Sequence, residues 1–157
     1  MLLSFTESAT LDGDLTSIWQ TITDPAHWAD WDPHLDGAGM DEPFQVGAEG
    51  WTNPRNVPGK RGPFKVVAVD PLRSYETESA MPLGKMCIVN RFEEAGPGRV
   101  RIIREVALHG GFVPVFKLFW YKSMRADIAL TFAALEKEAA RRHAAAGERA
   151  ETTGGPR

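Results

Sequence analysis

Residues 2–11 alternate: Leu3, Phe5, Ala9 and Leu11 fall on one side, Ser4, Thr6, Ser8 and Thr10 on the other. A period of two predicts a half-buried strand. After Asp12-Gly13-Asp14 the period lengthens, with Leu15, Ile18, Trp19 and Ile22 at helical spacing and Asp14 placed to cap the first turn. Asp24-Pro25 predicts a second, shorter helix, with Asp24 as its cap and Pro25 at the first helical position, where proline has no N–H to lose. Asp32-Pro33 ends it, because the residue before a proline avoids the helical region.

From about Leu35 to His109 the pattern is strand and turn. Asn53–Pro63 is predicted to be a long loop, with strands over 64–69, 74–81, 85–94 and 99–109. Ala95-Gly96-Pro97-Gly98 between the last two is a strong hairpin signal, and strands joined by short turns imply an antiparallel meander. Gly110-Gly111 breaks the last strand, and Pro114 opens a helix expected to run to about His143. At 1.5 Å per residue that is ~45 Å, enough to cross a small domain. Val113, Phe116, Trp120, Met124, Ile128, Phe132, Leu135 and Ala139 give it one apolar face, and Lys122, Arg125, Asp127, Glu136, Lys137, Glu138 and Arg141 occupy the rest. Ala144–Arg157 is small, polar and glycine-containing, and reads as a frayed tail behind a single domain over 1–143.

The expected architecture is therefore α+β: a curved antiparallel sheet of six or seven strands around one long C-terminal helix, with two short helices after the first strand. A strongly curved sheet over one helix leaves a hollow unless large side chains fill it. Asp24–Leu35, with two Trp, three Asp, two His and two Pro, suits the lip of such a hollow, where apolar surface and polar handles meet.

Composition narrows the classes. With 157 residues, 43% hydrophobic and 25% charged, the chain has the make-up of one soluble domain, and a net charge of −3 gives no long-range basic field for nucleic acid. Cys87 is the single cysteine, so no internal disulfide is possible and a reducing, cytoplasmic compartment is expected. The N-terminus has no signal-peptide pattern, and no segment approaches the ~20 apolar residues of a membrane-spanning helix. No phosphate-cradling loop, dinucleotide fingerprint or Gly-x-Ser-x-Gly elbow occurs, and the histidines lack metal-ligand spacing; no cofactor and no metal are expected. Lys60-Arg61 is a short basic run in a loop and reads as solvated surface.

Ile18-Trp19 through Asp24-Pro25 to Trp31-Asp32-Pro33, together with Val69-Asp70-Pro71 and Arg99–Gly110 followed by an apolar helix, resembles the polyketide cyclase/dehydrase branch of the START-like, or SRPBCC, superfamily. The likeness covers about residues 4–140. It implies the helix-grip fold and a deep hydrophobic cavity between sheet and helix. It also implies Arg, Ser, Tyr or His in that cavity polarising carbonyls in some members, while others are lipid carriers or cochaperones.

Within that frame, Arg104 stands out, because it shares a face with Val100, Ile102, Val106 and Leu108. A guanidinium there needs a partner: a ligand carbonyl or carboxylate, an internal ion pair, or solvent reached by snorkelling at the sheet edge. Asn90, in parity with Met86, Ile88 and Phe92, is also expected inward, near Arg104 but not directly opposed to it when counted back from a turn at Pro97; it either joins Arg104 in a small polar floor or only satisfies a neighbouring backbone group. Tyr75 and Thr77 are expected inward and Glu76 and Glu78 outward; Tyr75 is either core filler or a proton donor. His34 at the lip is either a general base or an ordinary loop histidine. Arg104, Asn90, Tyr75 and His34 are thus the catalytic candidates. Trp31, Trp51, Thr77, Ile88, Phe116, Trp120, Met124 and Ile128 are the ligand-lining ones.

The expected function is binding of a polyketide- or lipid-like small molecule, with cyclisation or dehydration by substrate folding and carbonyl polarisation. The alternatives are a non-catalytic lipid carrier or sensor and a cochaperone-like interaction module. Phe112–Tyr121 is apolar apart from Pro114 and Lys117, which suits packing on the short helices, a pocket mouth, a membrane contact or a homodimer patch.

Overall fold

A tight hairpin forms at Ala95–Gly98: Ala95 N–H donates to the Arg99 carbonyl over 3.0 Å, and the arms pair from Glu94 opposite Val100 to Gly84 opposite Gly110. The computed structural model describes residues 1–56, 59 and 61–153. Seven strands are present: β1 (Leu2–Asp12), β2 (Leu35–Met40), β3 (Glu49–Pro54), β4 (Gly62–Asp70), β5 (Ser74–Met81), β6 (Gly84–Glu94) and β7 (Arg99–Gly110). All neighbours are antiparallel in the order β1-β7-β6-β5-β4-β3-β2, so the first strand closes on the last and the rest form a meander.

Between β1 and β2 lie α1 (Leu15–Ile22), a 3-10 turn (Pro25–His27) and α2 (Trp28–Trp31). Asp14 caps α1 as expected, its carboxylate accepting from Ser17 N–H over 2.9 Å. The second short helix starts differently. Pro25 opens a 3-10 turn, and Asp24 turns its carboxylate to the ring of His27 (2.8 Å) and to Arg142 (3.1 Å) instead of capping the backbone. Trp28 continues into α2 and ties it back, its Nε1 donating to the Ile22 carbonyl over 2.9 Å.

The long C-terminal helix departs from expectation at both ends. It is two helices, α3 (Val113–Phe119) and α4 (Tyr121–Thr153), with Trp120 between them at φ −122. Ser123 Oγ donates to the Trp120 carbonyl over 3.0 Å, a side-chain competitor of the kind that bends helices. At the other end α4 runs past His143 to Thr153, so the expected tail is helical over 144–153. Alanines are the best helix formers, and Glu138 pairs with Arg141 and Arg142 one turn on. Gly154–Arg157, and Lys60 of the basic pair, lie outside the described residues.

The core lies between the concave sheet face and α4. Ile18, Val66, Ile102 and Leu135 are fully buried, and Phe5, Phe92, Val106, Leu108 and Phe132 nearly so. Each such side chain contributes ~1.5–3 kcal/mol by leaving water. This packing fills the end of the groove near β1 and α1 and leaves the other end hollow.

Candidate functional site: a two-chambered cavity

Two chambers occupy the unfilled end. The inner one, about 390 Å³, lies between β3–β7, α2 and α4, with Trp31, Phe64, Tyr75, Thr77, Ile88 and Asn90 among its walls. The outer one, about 340 Å³, lies beside Arg55 and Asn56 at the end of β3, with His34, Phe116, Trp120, Asp127 and Ile128 among its walls. Leu35, Pro54, Arg104, Met124 and Thr131 border both, so the chambers adjoin and Arg104 sits at their junction.

The polar floor is one rung of the sheet. Tyr75 on β5 stands opposite Asn90 on β6, and Asn90 stands opposite Arg104 on β7. This corrects the expected offset: Asn90 and Arg104 are equally far from Pro97, and the hairpin is symmetric about it. Directly opposed residues share a face with Cβ atoms ~5 Å apart, so register alone brings the three side chains together. Arg104 Nε donates to Asn90 Oδ1 over 2.8 Å, and the guanidinium lies 5.2 Å from the Phe132 ring centroid. Among the described residues Arg104 forms no ion pair, so the expected alternative of an internal carboxylate partner does not hold. A half-buried cation whose partners are an amide, a phenol and an aromatic ring keeps donors for an oxygen brought in from outside.

Tyr75 is 4% exposed and packed edge-on against Trp19 and Phe44. Burial pushes its phenol above the usual tyrosine range, while the Arg104 charge and hydrogen bonding with Arg104 and Asn90 act in the opposite sense. Its hydroxyl therefore stays protonated at neutral pH and can donate. Tyr75 is both core and chamber wall, so the two readings of it are not exclusive.

His34 is not an unattended loop histidine. Its Nδ1 lies 3.1 Å from Asp32 Oδ1 and 3.1 Å from Thr131 Oγ1, and its Nε2 lies 3.3 Å from Asp127 Oδ1. Asp32 also accepts the His34 backbone N–H over 2.9 Å, which fixes the turn that carries the ring. The ring is 28% exposed at the outer chamber, between two carboxylates and a threonine. Asp32, Asp127 and Thr131 were absent from the expected site. Thr131 could have been found, because it falls at helical spacing with Met124, Ile128 and Leu135; Asp127 looked like a solvated charge on the polar side.

Among the expected lining residues, Trp31, Thr77 and Ile88 border the inner chamber, Phe116, Trp120 and Ile128 the outer one, and Met124 both. Trp51 borders neither. It points to the outer face of the sheet, over Gly37 and Gly39, with the Arg61 guanidinium 3.9 Å from its ring centroid. A Cβ at Gly39 would come within 2.8 Å of the indole, so the two glycines make room for the ring. Trp31 Nε1 is buried without a hydrogen-bond partner in the chamber wall. Among the described residues no group of three His, Cys, Asp or Glu side chains could hold a metal ion, and no helix is long and apolar enough to cross a membrane.

The family model described as "Polyketide cyclase / dehydrase and lipid transport" matches residues 3–140. The chain belongs to this family. Solved structures share the fold of this polyketide cyclase/dehydrase family member across nearly its whole length. The ZhuI aromatase/cyclase of Streptomyces sp. R1128 is similar with a TM-score of 0.76 at 16% identity, covering 94% of this chain and 99% of that one. Norcoclaurine synthase of Thalictrum flavum, crystallised with a transition-state analogue, has a TM-score of 0.70 at 16% identity, covering 91% and 97%. Ara h 8.0201 has a TM-score of 0.72 at 15% identity, covering 90% and 99%. Comparison with curated protein sequences gives no match. At such identities the structural likeness establishes the curved sheet and helix, and the site must be argued from this chain's own residues.

Proposed function

We propose that this protein binds a hydrophobic, polyketide-like molecule across the two chambers and promotes its cyclisation or dehydration. The observation that carries this reading is Arg104, a cation at the junction of two apolar chambers with no carboxylate of its own. A substrate carbonyl on Arg104 would gain negative charge as an enolate or alkoxide forms, and fixed donors in a dry site stabilise such charge strongly. Asn90 orients the guanidinium, and Tyr75 supplies a neutral donor beside it.

His34 moves the proton. With Nδ1 held by Asp32 and Thr131, Nε2 takes a proton from carbon next to a carbonyl, displacing the more exposed Asp127. The carbanion attacks a second carbonyl of the same chain, whose oxygen receives the proton; loss of that hydroxyl with a neighbouring hydrogen releases water. No covalent enzyme intermediate is needed, and the walls contribute by holding the chain folded. The single cysteine accords with a reducing, cytoplasmic setting for this chemistry.

Native mass spectrometry of the purified protein, followed by incubation with a β-polyketone analogue, tests the reading. A co-purifying or added apolar ligand should bind, and Arg104→Ala should abolish turnover while ligand is still held. Unchanged turnover in Arg104→Ala would refute it. A second reading, a lipid carrier, is favoured by one feature: Leu118 and Phe119 on α3 are 76% and 67% exposed, beside the Phe116 and Trp120 that line the outer chamber. Under that reading the protein exchanges a lipid with vesicles and Arg104→Ala changes the rate of exchange, with no product formed.

A further inference from the structure

Arg104 has a second neighbour on its rung. Glu7 on β1 stands directly opposite it, so the order across four strands is Glu7, Arg104, Asn90, Tyr75. Glu7 shares the inner parity of Phe5 and Leu11 on β1, both buried. A carboxylate and a guanidinium facing each other at that spacing ordinarily pair. Here they do not. Glu7 is bonded instead to Arg125 Nε from α4, and Arg125 is itself steadied by Tyr121, whose hydroxyl accepts from its Nη1 over 2.9 Å, and by the Phe5 ring, 5.8 Å from its centroid. Arg104 turns the other way, to Asn90 and the cavity.

We infer that Arg125 is a positioning residue: by occupying Glu7, it keeps the Arg104 guanidinium available to an acidic or carbonyl oxygen of the ligand. This rests on the reading of Arg104 as the ligand's anchor. The physical content is a competition. Glu7 has one carboxylate and two arginines within reach, one from the sheet and one from the helix. While α4 supplies the partner, the Arg104 charge remains uncompensated, which a ligand anion can exploit. Without Arg125, Glu7 would pair across the rung and neutralise the anchor. The Glu7–Arg125 bond also ties β1 to α4, so the charge state of the cavity is coupled to how closely the helix lies on the sheet edge.

Two fluorescent probes of nearly the same aromatic skeleton separate anchoring from shape: 1-anilinonaphthalene-8-sulfonate, an anion, and N-phenyl-1-naphthylamine, its neutral counterpart. In Arg125→Gln the anionic probe should bind about tenfold more weakly and the neutral probe as before, and Glu7→Gln with Arg125→Gln should restore the anionic probe to within about twofold of the parent. Lys122→Gln, which removes an exposed charge from the same helix without freeing Glu7, should leave both probes unchanged. If Arg125→Gln weakens both probes equally, or the double variant is not restored, Arg125 is merely structural and the proposal fails. If Lys122→Gln weakens the anion as much as Arg125→Gln does, the effect is bulk charge, and the proposal also fails. Loss of preference for the anion in Arg104→Met is expected; if that variant binds the anion as well as the parent, Arg104 is not the anchor, and the reading of the cavity falls along with that of Arg125.

Discussion

The inner and outer chambers share a wall and differ in how they hold charge. The inner floor has a cation with no anion: Arg104 leans on an amide, a phenol and a ring. The outer rim surrounds one histidine with two carboxylates and a hydroxyl. In the inner chamber charge is left open, at some expense in stability, and under the proposed function a ligand completes it. In the outer chamber polar groups complete one another, and under the proposed function they hold the His34 ring to accept a proton from one defined direction. A fold built for stability alone would have paired Arg104 internally or replaced it by an aliphatic residue.

Several measurements can break that contrast. The largest expected effect is on turnover. His34→Ala should slow ring closure of a β-polyketone by ~10²-fold or more, the scale of a lost general base, with probe affinity nearly unchanged. Equal loss of rate and affinity would mean that the ring shapes the chamber instead of moving protons. Next is a trade between binding and stability. In a Tyr75→Phe background, which removes the buried hydroxyl that bonds to both, replacing Asn90→Leu together with Arg104→Met leaves no orphaned partner and should weaken an anionic probe by about 10- to 100-fold. The same double variant should be as stable as its Tyr75→Phe parent or more so, by about 1 kcal/mol, because an uncompensated cation is gone; thermal unfolding decides, and a large loss of stability would show the pair to be structural.

A smaller effect concerns pH. The Tyr75 phenol keeps its proton above the ordinary value near 10.0, because burial outweighs the Arg104 charge and the hydrogen bonds. The native state thus holds a proton that the unfolded chain releases. The associated stability is complete below about pH 10 and is lost as pH rises from there through the higher native value. In Tyr121→Phe, Tyr75 is the sole tyrosine, and its absorbance near 295 nm should show less phenolate at pH 10 in the folded protein than in the unfolded chain. The smallest effect on the cavity is expected from Trp51→Ala. Probe affinity should change by less than about twofold, while stability falls by ~1–2 kcal/mol as the sheet's outer face loses its cover over Gly37 and Gly39.

Much of the fold was legible in the chain because its strands are long and keep their period. Arg104 and Asn90 could be placed inward by parity with neighbours such as Ile102 and Phe92, and even their direct opposition follows once the hairpin is taken as symmetric about Pro97. Trp51 was misplaced for the complementary reason: β3 is short and follows Phe44–Ala48, which give no parity to count from. The meeting of His34 with Asp127 and Thr131 was out of reach: Thr131 could be placed on the inner side of α4 by its spacing, but both residues lie nearly a hundred positions from the ring, and only packing brings them to the lip. The end of α4 follows propensity: a lone Gly147 does not outweigh the alanines around it.

The rung that joins Glu7, Arg104, Asn90 and Tyr75 also constrains how such a protein can diverge. One residue inserted or deleted within β6 or β7 would turn every later side chain of that strand to the opposite face, expelling Asn90 or Arg104 from the cavity and admitting Arg91 or Ile103 in its place. Length changes in those two arms must come in pairs or be absorbed by a bulge, whereas exposed connections tolerate added length. Descendants of this sequence should therefore differ in the size of their loops long before they differ in the spacing from Tyr75 to Arg104.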